Sequence, residues 1–138
     1  MTHPGGLAYD RYSCHGHEEW LMRIGAADAQ PILFLPPLFE EMNRTRALLA
    51  ATMRSLAARG FGCWLPDLPG TGESERALEA CDWAHWTNAA AAAAERVAEA
   101  SGRRPAFASL RGGCLLDSEP PAPCRWRFAP VAGAALVR

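Results

Sequence analysis

Three short apolar runs, each cut off by proline or glycine, restrict the folds open to this chain more than any other feature. Pro31 opens Ile32-Leu33-Phe34-Leu35, which stops at Pro36-Pro37. Phe61-Gly62-Cys63-Trp64-Leu65 lies between Gly60 and Pro66. Ala106-Phe107-Ala108-Ser109-Leu110 runs into Arg111-Gly112-Gly113. Runs of this length without polar alternation read as strands buried on both faces. Helical patterns separate them. Asn43 reads as the cap of a helix over residues 44–59, with Ala47, Leu48, Ala51, Met53, Leu56 and Ala57 near helical spacing and Gly60 as its stop. Asp82 predicts the cap of a second helix from Trp83 to about Ala100, ended by Ser101-Gly102-Arg103-Arg104. Cys114-Leu115-Leu116 starts a further helix, which Pro120, Pro121 and Pro123 halt within about two turns. A fourth strand is expected over Arg125–Val131, and weaker signals at Leu7–Cys14 and Trp20–Ile24 pair as an edge hairpin. Strands alternating with helices imply an α/β fold: a mostly parallel sheet with flanking helices and right-handed crossovers.

The 138 residues suffice for one domain, and an apolar share of 49% is that of a globular chain. All 14 basic residues are arginine, and the net charge of −1 gives no electrostatic reason for nucleic acid or an anionic membrane as partner. No stretch reaches the roughly 20 apolar residues of a membrane helix. The five cysteines (Cys14, Cys63, Cys81, Cys114 and Cys124) are scattered and never form a Cys-x-x-Cys pair, which argues against zinc and against a disulfide framework. No cofactor is expected. Cys63, inside an apolar run, reads as a reduced core residue. Met-Thr-His-Pro-Gly-Gly carries no signal-peptide pattern, so the cytoplasm is the expected location.

In parallel α/β sheets ligands sit beyond the carboxyl ends of the strands. Three loops fall there: Pro36–Asn43, Pro66–Ser74 and Ser109–Gly113. Their residues carry a resemblance. Asp67-Leu-Pro-Gly-Thr-Gly-Glu-Ser74 after a buried strand resembles the Asp-x-x-Gly-x-Gly-x-Ser segment of α/β-hydrolases. Ser109-Leu-Arg-Gly-Gly113 falls where that superfamily has its Gly-x-Ser-x-Gly nucleophile elbow. More narrowly, Leu35-Pro-Pro-Leu-Phe-Glu-Glu-Met-Asn-Arg44, Asp67-Leu-Pro-Gly-Thr-Gly72, Trp83 with Trp86, and Leu110-Arg-Gly-Gly together resemble the second type of exosortase A system-associated hydrolase. The resemblance covers roughly residues 30–138. It implies a single α/β-hydrolase-like domain of which residues 1–138 are the N-terminal part. It further implies hydrolysis of an acyl ester or thioester in an exopolysaccharide and protein-sorting context.

The sequence departs from the superfamily pattern at the point that matters for chemistry. Arg111 stands at the nucleophile position, and a guanidinium stays protonated. In α/β-hydrolases the acid and then the histidine follow the nucleophile. Here His3, His15, His17 and His85 all precede Arg111, and the only carboxylates after it are Asp117 and Glu119. A Ser-His-acid triad is not expected, and no residue is assigned as catalytic.

The candidate pocket comprises Glu40, Glu41, Asn43, Asp67, Ser109, Arg111 and Gly112. Each has a plainer reading. Glu40 and Glu41 either orient Arg111 or supply a base, or simply complement a helix start. Asn43 is a cap before it is a ligand contact, and Asp67 a turn former before it faces a site. Ser109 is a small packing residue before it is a displaced nucleophile. Gly112 and Gly113 allow a tight turn. Trp83 and Trp86 share a helix face and read as core ahead of substrate platform, with His85 turned to solvent between them. His15 and His17 flank Gly16 without a third metal ligand. Arg111 is expected to pair with Glu40 or Glu41. Three readings stand open: a hydrolase, a non-catalytic binding or scaffold protein on the same fold that takes a small or acyl molecule, or a truncated gene product. Self-association through an exposed sheet edge is expected of each.

Overall fold

A computed structural model describes residues 6–118 and 120–135; His3 and Glu119 lie outside them. Six strands form one mixed sheet in the order β1-β2-β4-β3-β5-β6. The expected hairpin is β1 (Leu7–Cys14) against β2 (His17–Ile24), antiparallel. His15 and Gly16 join them at φ 51° and 74°, the doubly left-handed turn that suits the twist of a two-residue hairpin. The hairpin docks through β2, antiparallel, on β4 (Phe61–Pro66). Strand β3 (Gln30–Leu35) runs parallel to β4 on one side and to β5 (Ala106–Leu110) on the other, and β5 pairs parallel with β6 (Arg125–Phe128). The α/β fold with a mostly parallel sheet is therefore the one the sequence predicts.

Residue alternation sends the two helices to opposite faces. Leu33, Leu35, Trp64 and Phe107 pack under helix α2 (Trp83–Ser101), against Trp86, Ala89, Ala90, Ala93 and Val97. Phe34, Cys63, Leu65, Ala108 and Leu110 form the other core with Leu49, Met53 and Ala57 of helix α1 (Glu40–Ala57). Burial pushes the Cys63 thiol up to about 12, as befits an inert core cysteine. The buried stripe of α1 repeats every four residues from Leu49, and Leu48 faces outward instead.

Helix α1 starts earlier than its sequence signals suggest. Asn43 sits inside the helix, and Phe39 occupies the cap at φ 61° and ψ −134° with no side-chain cap bond. The backbone after Pro36-Pro37 turns through this left-handed residue, and Glu40 and Glu41 then meet the positive end of the helix dipole. Helix α2 obeys its signals: the Asp82 carboxylate accepts from the His85 amide, the His85 ring closes the reciprocal bond to the Asp82 amide, and Gly102 ends the helix at φ 77°. His85 is thus part of a capping box and not a free surface histidine. Residues Arg111–Leu116 form a 3-10 turn where a short α-helix was expected.

From β3 the chain passes over α1 to β4 on one side, then crosses back over α2 to β5 on the other. The loops leaving β3 and β4 therefore diverge to opposite faces. A crevice opens between them at the carboxyl edge, the place where open α/β sheets receive ligands.

Candidate functional site

The turn after β5 is built around one strained residue. Leu110 is extended, and Arg111 then adopts φ 53°, a conformation that side-chain-bearing residues rarely take. The two glycines that follow do not supply the left-handed turn. Gly113 serves close approach instead: a Cβ there would stand 2.4 Å from the Pro36 carbonyl oxygen and 2.5 Å from that of Leu35. Gly112 is buried beside it. Strand β5 is thereby clamped to the exit of β3, which brings the loop carrying Glu40 and Glu41 alongside Arg111.

Arg111 pairs with Glu41. Its Nε donates to Oε2 at 3.0 Å and its Nη2 to Oε1 at 3.4 Å, while Nη1 reaches the Ala129 carbonyl at 3.5 Å. The bond lowers the Glu41 carboxyl and raises the guanidinium further. Both side chains remain about two-fifths exposed, 41% and 43%, so the pair is a partly buried, half-hydrated clamp between loops. Glu40 takes no part: it pairs with Arg44 one turn along α1, in the open.

Ser109 does not point into a site. It is fully buried, and its hydroxyl donates to Asp117 Oδ2 at 2.8 Å. Asp117, itself 0% exposed, also accepts from Arg127 Nε at 3.0 Å and from Arg127 Nη2, while its carbonyl accepts from Arg125 Nε at 2.7 Å. This buried carboxylate, the polar centre beneath the turn, was absent from the sequence-derived site. It depends on the register that sets Ser109 beside Arg127 across β5 and β6.

Asp67 organises the glycine loop after β4. It is buried, its Oδ2 accepts the Glu73 amide at 3.0 Å and its Oδ1 meets Arg46 at 3.2 Å. Gly72 lies so close that a Cβ would touch the Asp67 carboxylate at 2.7 Å. Ser74 completes the loop by accepting from the Gly70 and Arg76 amides and donating to Glu19 at 3.0 Å. Glu19 of β2 went unnoticed in the sequence. It is 1% exposed, its second oxygen has no partner, and burial raises its carboxyl above the usual range.

The crevice between the β3 and β4 loops is an open cavity of about 750 Å³ lined by Phe39, Glu40, Met42, Asn43, Gly70–Glu73, Leu78 and Trp86. A smaller one of about 260 Å³ shares Phe39, Leu78 and Trp86 with it and adds Cys81, Asp82 and Trp83. The two tryptophans divide their roles. Trp86 is buried and donates its indole N–H to the Pro69 carbonyl at 2.9 Å, whereas Trp83 is 45% exposed at the rim. Ring centroids lie 5.4 Å apart for Phe39 and Trp86 and 6.1 Å for Trp83 and Trp86. Of the seven sequence-derived candidates, Glu40 and Asn43 line this cavity. Glu41 and Arg111 form the neighbouring clamp, and Asp67, Ser109 and Gly112 support the loops from within.

The His15 ring lies 4.8 Å from that of His85 and is held by Asn88, not by His17. Among the described residues, no three His, Cys, Asp or Glu side chains gather to hold a metal ion. No helix is long and apolar enough to cross a membrane among them.

No family model matches the chain, and no curated protein matches it. Solved structures do. A predicted CIB-like hydrolase from Thermoplasma acidophilum aligns with a TM-score of 0.64 at 17% identity, over 95% of this chain and 66% of that one. An epoxide hydrolase from Vigna radiata aligns at 0.62 and 17% identity, over 80% of this chain and 33% of its own. The thioesterase domain from the curacin biosynthetic pathway aligns at 0.60 and 16% identity, over 80% and 39%. The chain therefore spans about a third of the length of the epoxide hydrolase it matches. At such identities the likeness establishes the fold, which is that of the α/β-hydrolases.

Proposed function

We propose that this chain is a ligand-binding module on the α/β-hydrolase fold, in which the Arg111–Glu41 pair stands where a serine hydrolase holds its nucleophile. The observation that carries the reading is Arg111 itself, at φ 53° in the turn after β5 and bonded through two nitrogens to Glu41. A guanidinium offers no lone pair for attack. The nearest hydroxyl, on Ser109, is buried and committed to Asp117. The bound molecule is a small or acyl compound seated at the carboxyl edge, with Glu40 and Asn43 on the cavity wall. The resemblance of Leu35–Arg44 and Leu110–Gly113 to exosortase A system-associated hydrolases supports an exopolysaccharide and protein-sorting setting for that binding.

A second reading is hydrolysis of an acyl ester or thioester, the activity the resemblance implies for a whole hydrolase. One observation favours it: residue 111 is left-handed and Gly113 is pressed on β3, the backbone a nucleophile elbow requires. Treating the purified chain with a fluorophosphonate probe, and separately with p-nitrophenyl acetate, divides the two. The expected result is no covalent labelling and no turnover above the buffer rate. Labelling abolished by Ser109→Ala would overturn the binding reading.

A further inference from the structure

We infer that the crevice between the β3 and β4 loops is a binding site for a small organic cation, an alkylammonium with an apolar body. The inference rests on the binding-module reading and names its ligand class. Three aromatic rings form one continuous wall: buried Trp86 at the floor, with Phe39 and half-exposed Trp83 packed on it. Phe39 is about half exposed, and its backbone sits at φ 61°, where a glycine would be easier. Strain of this kind persists where surrounding structure enforces it, and it clusters at ligand sites. Here its effect is to stand a phenyl ring in the open crevice against Trp86.

Charge selects the occupant. Glu40, Glu73 and Asp82 line the two adjoining cavities, and no arginine or histidine does so among the described residues. The cations closest along the same loop are already committed, Arg44 to Glu40 and Arg111 to Glu41. Glu73 forms no ion pair among the described residues and is exposed. Glu40 is offset by Arg44 and Asp82 by His85, but an anion would still meet the unpaired Glu73 carboxylate, with no free cation in the lining to receive it among the described residues. A neutral apolar molecule would cover these carboxylates and strip their water without return. An ammonium gains from both walls: the faces of tryptophan and phenylalanine attract a cation through the ring quadrupole, and the carboxylates add Coulombic attraction. The site also lies at the carboxyl edge of the sheet, where the β3 and β4 loops part.

Choline, 3,3-dimethyl-1-butanol and 3,3-dimethylbutanoate share one shape and differ in charge. Their binding to the 138-residue chain is read by calorimetry and tryptophan fluorescence. Choline should bind about tenfold more tightly than the neutral alcohol, the range expected for a cation on aromatic faces, and the carboxylate should not bind. Trp83→Ala should weaken choline about fivefold or more, with Trp83→Phe restoring most of the loss. Glu73→Gln, an exposed change that leaves packing intact, should weaken choline about threefold and remove most of its salt dependence. Equal affinity for choline and the alcohol would overturn the cation site while leaving a binding module. So would a cooperatively melting chain that ignores choline at millimolar concentration. Ester turnover would overturn the binding-module reading without touching a measured preference for the cation.

Discussion

At the scale of single residues the site is governed by where buried charge finds partners. Asp117 is the clearest case. It is wholly buried, and it holds the Ser109 hydroxyl and the Arg127 guanidinium. Asp117→Ala strands a buried hydroxyl and releases Arg127, which is 43% exposed and rehydrates. The expected cost is about 1–3 kcal/mol in urea unfolding, dominated by the unpaired buried group. Ser109→Ala should cost less, and the double variant should fall short of the sum, since both changes break one network. Strict additivity would speak against that network. Glu19 is the opposite case, a carboxylate buried with one oxygen unpartnered. Burial raises its folded pKa above the ordinary value of 4.5. The stability linked to this group is fully present below that value and is lost as pH rises through the raised one. Glu41, whose carboxyl Arg111 lowers, acts in the separate window below 4.5, where its contribution disappears as pH falls. As pH rises above 4.5, wild type should therefore lose stability relative to Glu19→Gln, whose amide oxygen still accepts from Ser74. Parallel pH profiles for the two proteins would contradict a buried, strained Glu19.

At the scale of elements, two strand exits are held together by a single missing side chain. Gly113→Ala places a methyl 2.4 Å from the Pro36 carbonyl oxygen, and a backbone atom cannot swing aside as a side chain can. The turn must lift off β3, carrying Arg111 away from Glu41. Destabilisation of about 2 kcal/mol or more is expected, against a much smaller effect for Gly133→Ala, where nothing nearer than 3.9 Å meets the new methyl. A Gly113→Ala chain that melts like wild type would refute the close approach. The same elements show what a sequence can and cannot disclose. Strands β3, β4 and β5 were legible because proline or glycine bounds each run, and Asp82 was legible as a cap because its bonds are local. Arg111 meeting Glu41 followed from loops that had to converge at one sheet edge. Asn43 misled because the cap is made by the backbone of Phe39, whose left-handed geometry no side chain announces. Asp117 and Glu19 escaped because each owes its role to strand pairing across the sheet, Asp117 beneath β5 and β6 and Glu19 from β2 to the loop after β4.

At the scale of the whole molecule the two faces of the sheet are covered unequally. Helix α2 packs over β1, β4 and β3, while α1 leaves the β5–β6 side of its own face open. There an apolar groove of about 330 Å³ runs between Ile32, Phe34, Leu56, Ala108 and Trp126. Beside it β6 ends the sheet, with Trp126 and Phe128 stacked at 5.7 Å and both more than half exposed. An edge strand offers unpaired amides and carbonyls to any strand that can lie beside it. A second copy of β6 fits in one antiparallel register centred on Arg127. That register sets Trp126 opposite Phe128 of the other copy twice over, on the face of the groove, each aromatic pair contributing about 0.2–1 kcal/mol. On the opposite face it brings the two Arg127 side chains together, each already paired with its own Asp117. Four residues of strand, two aromatic pairs and a residual repulsion between arginines predict a weak association. Its salt dependence follows from the same inventory: screening the arginines should strengthen it, the reverse of an interface held by opposite charges. Sedimentation velocity of the 138-residue chain should show a concentration-dependent dimer that grows with added salt. Trp126→Lys with Phe128→Lys should return the monomer without lowering the melting temperature. A wild-type chain that stays monomeric across the micromolar range, or a dimer that salt dissolves, would show that β6 is not the edge through which copies meet.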